Sequence, residues 1–224
     1  MLLKPLPSHH QATTGLRDAP AANTSNVVVH VVYITGAGSG IGLSCARRFA
    51  ADGYTVVGSD VKPTPPADFP RGASWHQCDV TDEARQAAVA SEILATHHRI
   101  DVLVTAAGIA AGGAVHTTSL EQWRRVHTVN LEGTFLSCRA VLPGMVAAGC
   151  GSIVTIASVQ GLEVSNEGAA AYGASKAGVI MLTKNIATEC GATPCIDPTP
   201  DSYIADDPGT AQCTGSTGNW MMIR

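Results

Sequence analysis

An α/β fold, built on a doubly wound parallel sheet buried on both faces, is the architecture this sequence predicts, and three observations carry the prediction. From Val27 onward, short apolar runs alternate with helical stretches, the pattern of repeated strand–helix–strand units. A glycine-rich turn, Gly36-Ala37-Gly38-Ser39-Gly40-Ile41-Gly42, joins the first apolar run to the first helical one. The chain has 224 residues, enough for one domain with a self-sufficient core.

The elements follow in order. Residues 27–34 read as the first strand. Gly40–Ala51 reads as a helix with Ile41, Cys45 and Phe49 on one face, closed by Gly53. Strands are expected at 55–59 and 74–78, a helix over 82–97, and a short strand at Val102–Thr105. Residues 120–146 read as one long helix with a kink at Pro143, followed by a strand at 153–157. The last regular element is a helix over 171–189, where Val179, Leu182 and Ile186 recur at helical spacing.

Three segments are expected. Residues 1–26 are rich in Pro, Ala, Thr, Asn and His without a period, and read as a disordered extension that includes His9 and His10, to which no function is assigned. Residues 27–190 form the nucleotide-binding catalytic unit. Residues 191–224 read as an atypical, irregular tail, marked by Pro194, Pro198, Pro200 and Pro208, with a weak strand run only at Tyr203-Ile204-Ala205.

Composition narrows the function. With 45% hydrophobic residues, 4% aromatic residues and a formal charge of −4, the chain lacks the basic excess and interleaved aromatics of a nucleic-acid binder. No stretch is apolar and long enough to span a membrane, and the short apolar start, Met1 to Pro7, is no signal sequence, so a cytoplasmic location is expected. Seven cysteines without Cys-x-x-Cys spacing favour free thiols over a disulfide framework or a zinc site. His116 and His127 belong to no motif, and no metal-ligand cluster is read.

Glycines at Gly36, Gly40 and Gly42 let backbone N–H groups approach a pyrophosphate at the positive end of a helix. Asp60 follows the second strand, 18 residues beyond Gly42, where a carboxylate accepts hydrogen bonds from an adenosine ribose and repels a 2′-phosphate. That placement argues for NAD over NADP. Farther on, Tyr172 and Lys176 stand four residues apart, on one face of a helix. A phenol ionises near about 10 and is a poor base at neutral pH, whereas a nearby ammonium favours the phenolate. Lys176 supplies that charge.

These residues resemble the short-chain dehydrogenase/reductase family, of the Rossmann type, over about Val28 to Glu189. Four motifs occur in the family's order. Thr35-Gly36-Ala37-Gly38-Ser39-Gly40-Ile41-Gly42 matches the Thr-Gly-x-x-x-Gly-x-Gly loop; Asp79-Val80 matches the pair that contacts adenine. Asn130-Leu131-Glu132-Gly133 matches Asn-x-x-Gly, and Ser158 with Tyr172-x-x-x-Lys176 matches the catalytic groups. The resemblance implies hydride transfer between a nicotinamide and an alcohol or carbonyl substrate, with Tyr172 exchanging the proton. It implies that Lys176 bonds the nicotinamide ribose, Ser158 steadies the substrate oxygen and Asn130 holds a water that connects Lys176 to solvent. Cofactor contacts are expected from Thr35, Gly36, Ser39, Gly40, Ile41, Gly42, Asp60, Asp79, Val80, Ala106, Ala107, Gly108, Tyr172 and Lys176.

Two departures are visible. Where the family has Asn-Asn-Ala-Gly or Asn-Ala-Ala-Gly, this chain has Thr105-Ala106-Ala107-Gly108, so an asparagine is lost and the Thr105 hydroxyl is expected to compensate in part. After Cys190 the family's sixth strand, substrate-covering helices and seventh strand are missing or replaced, as by a shifted reading frame or an alternative splice. The alternative reading is therefore a truncated, noncatalytic NAD-binding remnant. If folded, the chain is expected to pair through its long helices as a homodimer or homotetramer.

Overall fold

The computed structural model describes residues 29–163 and 168–190 and, as backbone strands alone, Ala211–Gly215 and Gly218–Ile223. β1 (Val31–Thr35), β2 (Thr55–Asp60), β3 (Ser74–Gln77), β4 (Val102–Thr105) and β5 (Ser152–Ile156) form a parallel sheet in the order β3-β2-β1-β4-β5. All five point the same way, so their C-terminal ends line one edge. The strand segments β6 (Ala211–Gly215) and β7 (Gly218–Ile223) extend it beyond β5, with β7 parallel to β5 and β6 antiparallel to β7. The expected Tyr203-Ile204-Ala205 run and the extension over 1–26 lie outside the described residues.

Helices cover both faces, as the period of the apolar residues dictates. Along β1, Val32 and Ile34 face α1 (Gly40–Ala51), joined by Val56, Val104, Ile156 and Ala46. Val31 and Tyr33 face the opposite layer, formed by α2 (Glu83–His97), α4 (Gly133–Ala148) and α5 (Ala170–Cys190). There Val89 and Ile93 of α2, Val141 and Met145 of α4, and Ile186 of α5 pack on Leu103 and Ile153. Asp82 begins α2 by accepting a hydrogen bond from the Arg85 N–H at 2.9 Å. Ser119 does the same for α3 (Leu120–His127), accepting from the Gln122 N–H at 3.1 Å.

Two sequence expectations need correction. Among the described residues the first strand starts at Val31, where its register with Thr55 of β2 begins, with Val29 and His30 outside it; residues 27 and 28 lie outside the described residues. The expected long helix over 120–146 is three pieces, α3, a π-helical segment at Thr128–Glu132, and α4. A single wide turn keeps the backbone helical and requires no particular residue type, so the sequence carries no Gly or Pro signal for it. Pro143 lies inside α4, which continues to Ala148.

Leu103 is fully buried at the centre of the sheet. Leu103→Ala is expected to cost about 3 kcal/mol of unfolding free energy, measured by urea denaturation, since the lost transfer energy and the cavity add.

Candidate active site

The C-terminal edge of the sheet gathers the predicted residues. The turn after Thr35 is held by backbone touching backbone. Gly36 has φ +66, and a side chain there would put its Cβ 2.5 Å from the Ala107 nitrogen. A Cβ on Gly42 would lie 2.2 Å from the Gly36 carbonyl oxygen. The 106–107 segment, the turn and the first turn of α1 are therefore stacked with no room for a methyl group, and the Ala106 N–H donates to the Thr35 carbonyl at 3.2 Å.

The start of α1 is open to an anion. Ser39 is its N-cap residue but makes no side-chain capping bond, and the first turn carries no acidic group. Ser39, Gly40 and Ile41 are exposed. Helix N-terminal N–H groups without internal partners, at the positive end of the helix dipole, suit a phosphate. The Asp60 carboxylate stands beside the same turn, accepting from the Gly38 N–H at 3.1 Å and from the Lys62 N–H at 3.2 Å. This arrangement fits a dinucleotide: bare backbone donors for the pyrophosphate and a carboxylate one strand away for a ribose. Asp79 is exposed just past β3 and accepts from both the N–H and the hydroxyl of Thr81, while Val80 is buried against Gly133.

Lys176, one turn after Tyr172 on α5, is 5% exposed, and its Nζ donates to the Ile156 carbonyl at 2.6 Å. The ammonium lies 5.7 Å from the centre of the Tyr172 ring. Burial pushes the Lys176 ammonium down from its ordinary range to about 8. Tyr172 is half-buried. Ser158 follows β5 as the cap of a short 3₁₀ turn, Val159–Gly161, with its Oγ accepting from the Gln160 N–H at 3.3 Å.

Asn130, fully buried in the π-helical segment, ties the site together. Its Oδ1 accepts from the Ile109 N–H at 2.8 Å, and its Nδ2 donates to the Ile109 carbonyl at 3.0 Å and to the Ser175 Oγ at 3.1 Å. Ser175 in turn donates to the Tyr172 carbonyl at 2.7 Å. The segment after β4 is thereby linked through Asn130 to the helix that carries Tyr172. Gly108 adjoins both groups: a Cβ there would lie 3.3 Å from Asn130 Oδ1 and 3.7 Å from Lys176 Nζ. Ser175 was not singled out from the sequence; its signal was its place inside Tyr-Gly-Ala-Ser-Lys, immediately before the lysine.

The loss of the asparagine at position 105 is not made good by Thr105. Its Oγ1 is buried with no protein partner, and so is that of Thr35, its register partner on β1. His127 stands apart, stacked on Trp123 with ring centres 4.2 Å apart and Nδ1 3.0 Å from the Trp123 carbonyl oxygen. Among the described residues no group of three His, Cys, Asp or Glu side chains is placed to hold a metal ion.

Comparison with known proteins decides the family. A sequence model described as short chain dehydrogenase matches residues 30–196. The chain belongs to the short-chain dehydrogenase family. It is 41% identical to 2-(R)-hydroxypropyl-CoM dehydrogenase of Xanthobacter autotrophicus over 171 residues, 71% of this chain and 68% of that one. It is 38% identical to meso-2,3-butanediol dehydrogenase of Serratia marcescens, over 72% of this chain and 65% of that one. Among solved structures, a short-chain dehydrogenase from Streptomyces avermitilis superposes with a TM-score of 0.68 at 36% identity, covering 72% of this chain and 60% of that one. A structure of ElxO with NADP bound gives a TM-score of 0.68 at 31% identity, over 72% of this chain and 68% of that one. The chain thus spans about two thirds of the length of these relatives. The fold is the family's α/β Rossmann-like one, and both curated relatives named above are dehydrogenases.

Lys176 sets an expectation for pH. The unfolded lysine releases its proton near 10.5 and the folded one near 8, so between these values the unfolded chain holds the extra proton and stability rises with pH. The gain is on the order of 3 kcal/mol at most. Relative to Lys176→Met, the unaltered chain should gain stability between about pH 8 and pH 10.5 in urea titrations; parallel profiles would contradict the assignment.

Proposed function

We propose that the chain is an NAD-dependent oxidoreductase that transfers a hydride between the nicotinamide and a small alcohol or ketone, with Tyr172 and Lys176 as its acid/base pair. The observation that carries the reading is the buried Lys176 ammonium, 5.7 Å from the Tyr172 ring and next to Gly108 in the segment that follows β4. The bound nicotinamide would supply the hydride acceptor or donor. The chain supplies the rest.

Backbone N–H groups from Gly36 to Gly42, with Thr35, Ser39 and Ile41 around them, hold the pyrophosphate. Asp60 accepts from the adenosine ribose, Asp79 and Val80 border the adenine, and Ala106, Ala107 and Gly108 floor the nicotinamide half. Tyr172 takes the proton of the substrate hydroxyl in oxidation and returns it in reduction. Lys176 places its positive charge beside the Tyr172 ring and donates to the nicotinamide ribose. Ser158 directs its hydroxyl to the substrate oxygen, and Asn130 fixes the helix junction and a water beside Lys176.

NAD rather than NADP is favoured by Asp60, whose carboxylate repels a second phosphate; a structural neighbour, ElxO, was solved with NADP bound. The substrate class rests on the curated relatives, whose names include a butanediol and a cyclopentanol dehydrogenase. Free thiols at Cys45, Cys78, Cys138, Cys150 and Cys190 suit a cytoplasmic setting, and no described helix is long and apolar enough to cross a membrane. Trp123, Phe135 and Met181 are exposed on α3, α4 and α5, which suits a homodimer formed through these helices.

Tyr172→Phe should retain NADH affinity and lower turnover of a secondary alcohol by about 10²–10⁴-fold. Retained turnover would remove Tyr172 from the mechanism, and binding of cofactor without any turnover by the unaltered chain would favour the noncatalytic alternative. Asp60→Ser should shift the NADPH-to-NADH affinity ratio upward by about 10-fold, measured by fluorescence titration, through loss of charge repulsion. An unchanged ratio would mean that the carboxylate only braces Gly38.

A further inference from the structure

We propose that Gln86 is a positioning residue for the dinucleotide: its buried amide ties the turn after β3, which carries Asp79 and Val80, to the start of α4. That tie sets the wall that borders the adenine. The inference rests on the nicotinamide-cofactor reading above.

Gln86 lies near the start of α2 and is 1% exposed. Its Nε2 donates to the Val80 carbonyl at 2.6 Å and to the Gly133 carbonyl at 3.3 Å, the second bond joining residues 47 apart in the chain. Two carbonyl acceptors on one nitrogen fix which way the amide faces. The segments it bonds also touch each other: a Cβ on Gly133 would lie 2.7 Å from Val80 Cγ2. Gln86 therefore holds both sides of one close contact, between the turn after β3 and the residue that follows the π-helical segment of Asn130.

Packing of α2 does not ask for an amide at 86. The other buried positions of the helix are Val89, Ala90 and Ile93, all in the apolar core. Turning the Gln86 nitrogen toward two carbonyls also leaves its Oε1 buried without a protein partner, which is costly in a core. What the amide provides is a donor for Val80. The Gly133 carbonyl has a second donor in the Ser137 hydroxyl, at 2.7 Å. A Val80 carbonyl deprived of Gln86 would favour a turn that swings toward water. The remaining bonds of the turn are local: the Asp82 N–H donates to the Asp79 carbonyl at 3.0 Å, the Thr81 N–H to the Asp79 carboxylate at 2.9 Å, and Arg85 Nε to the Gln77 carbonyl at 3.0 Å. These fix the shape of the turn and its join to β3, whereas Gln86 fixes its place against α4.

The test compares Gln86→Met, which keeps the length of the side chain and loses the donor, with Val89→Ala, a core truncation on the same helix. Binding of ADP-ribose is measured by calorimetry, well below the melting temperature of each variant. Gln86→Met should weaken ADP-ribose binding at least about 10-fold, the scale of one hydrogen bond, and change kcat at saturating NADH by less than about 3-fold. Val89→Ala should lower the melting temperature and leave ADP-ribose affinity unchanged. Unchanged ADP-ribose affinity in Gln86→Met, or an equal loss in Val89→Ala, would overturn the proposal.

A second measurement needs only the unaltered chain and decides the matter if Gln86→Met does not fold. The side-chain amide protons of Gln86 should exchange with solvent more slowly when ADP-ribose is added, because the ligand closes on the turn they hold; an unchanged rate would overturn the positioning role. ADP-ribose binding that Gln86→Met leaves intact would count against Gln86 alone. No binding of ADP-ribose by the unaltered chain would count against the dinucleotide reading, and the role of Gln86 would fall with it.

Discussion

Close approach of main chain to main chain is the constraint on which the rest of this structure depends. At the C-terminal edge of the sheet, Gly42 sits on the Gly36 carbonyl and Gly36 sits on the Ala106–Ala107 backbone, with distances that leave no space for a Cβ. That stacking draws the end of β1, the start of α1 and the segment after β4 into one compact wall. Only then do the first N–H groups of α1, free of any side-chain cap, face outward beside Asp60. A larger residue at either glycine would separate these pieces before it touched any ligand.

A second wall is built on polar bonds. Lys176 reaches through the interior to the Ile156 carbonyl, which places a charge where water cannot easily solvate it and lowers its proton affinity. Asn130 and Ser175 hold the neighbouring segments, one through both backbone groups of Ile109 and the other through the Tyr172 carbonyl. The π-helical segment gives Asn130 its place: the wider turn is the junction at which the helix over 120–148 departs from a regular α-helix. Thr134 and Ser137 cover the Asn130 and Gly133 carbonyls at 2.7 Å each, so the irregular turn leaves these acceptors satisfied. By contrast, the unpartnered hydroxyls of Thr35 and Thr105 mark a place where the sheet edge is less well bonded than its surroundings.

Much of this was legible in the sequence because the chemistry demands particular residue types at fixed spacing. The turn from Thr35 to Gly42, Asp60 after β2, and Tyr172 with Lys176 one turn apart all lie at the sheet edge, as strand–helix alternation predicted. What stayed hidden depends on contacts between distant segments. The bond from Asn130 to Ile109 spans 21 residues, and the wider helical turn around it requires no particular residue type. Likewise, Gln86 reads as one more polar residue of α2 until the Val80 carbonyl is seen against it. Val29 and His30 lie outside β1 for a related reason: valine runs signal strand character, while pairing partners decide where a strand begins.

The most direct test of the central claim is a thermal melt of the purified chain alone, with NADH and with NADPH, since a ligand that binds only the folded state raises the midpoint. The account predicts a cooperative transition that NADH shifts upward and NADPH shifts less. No shift with either cofactor, or a larger shift with NADPH, would contradict it.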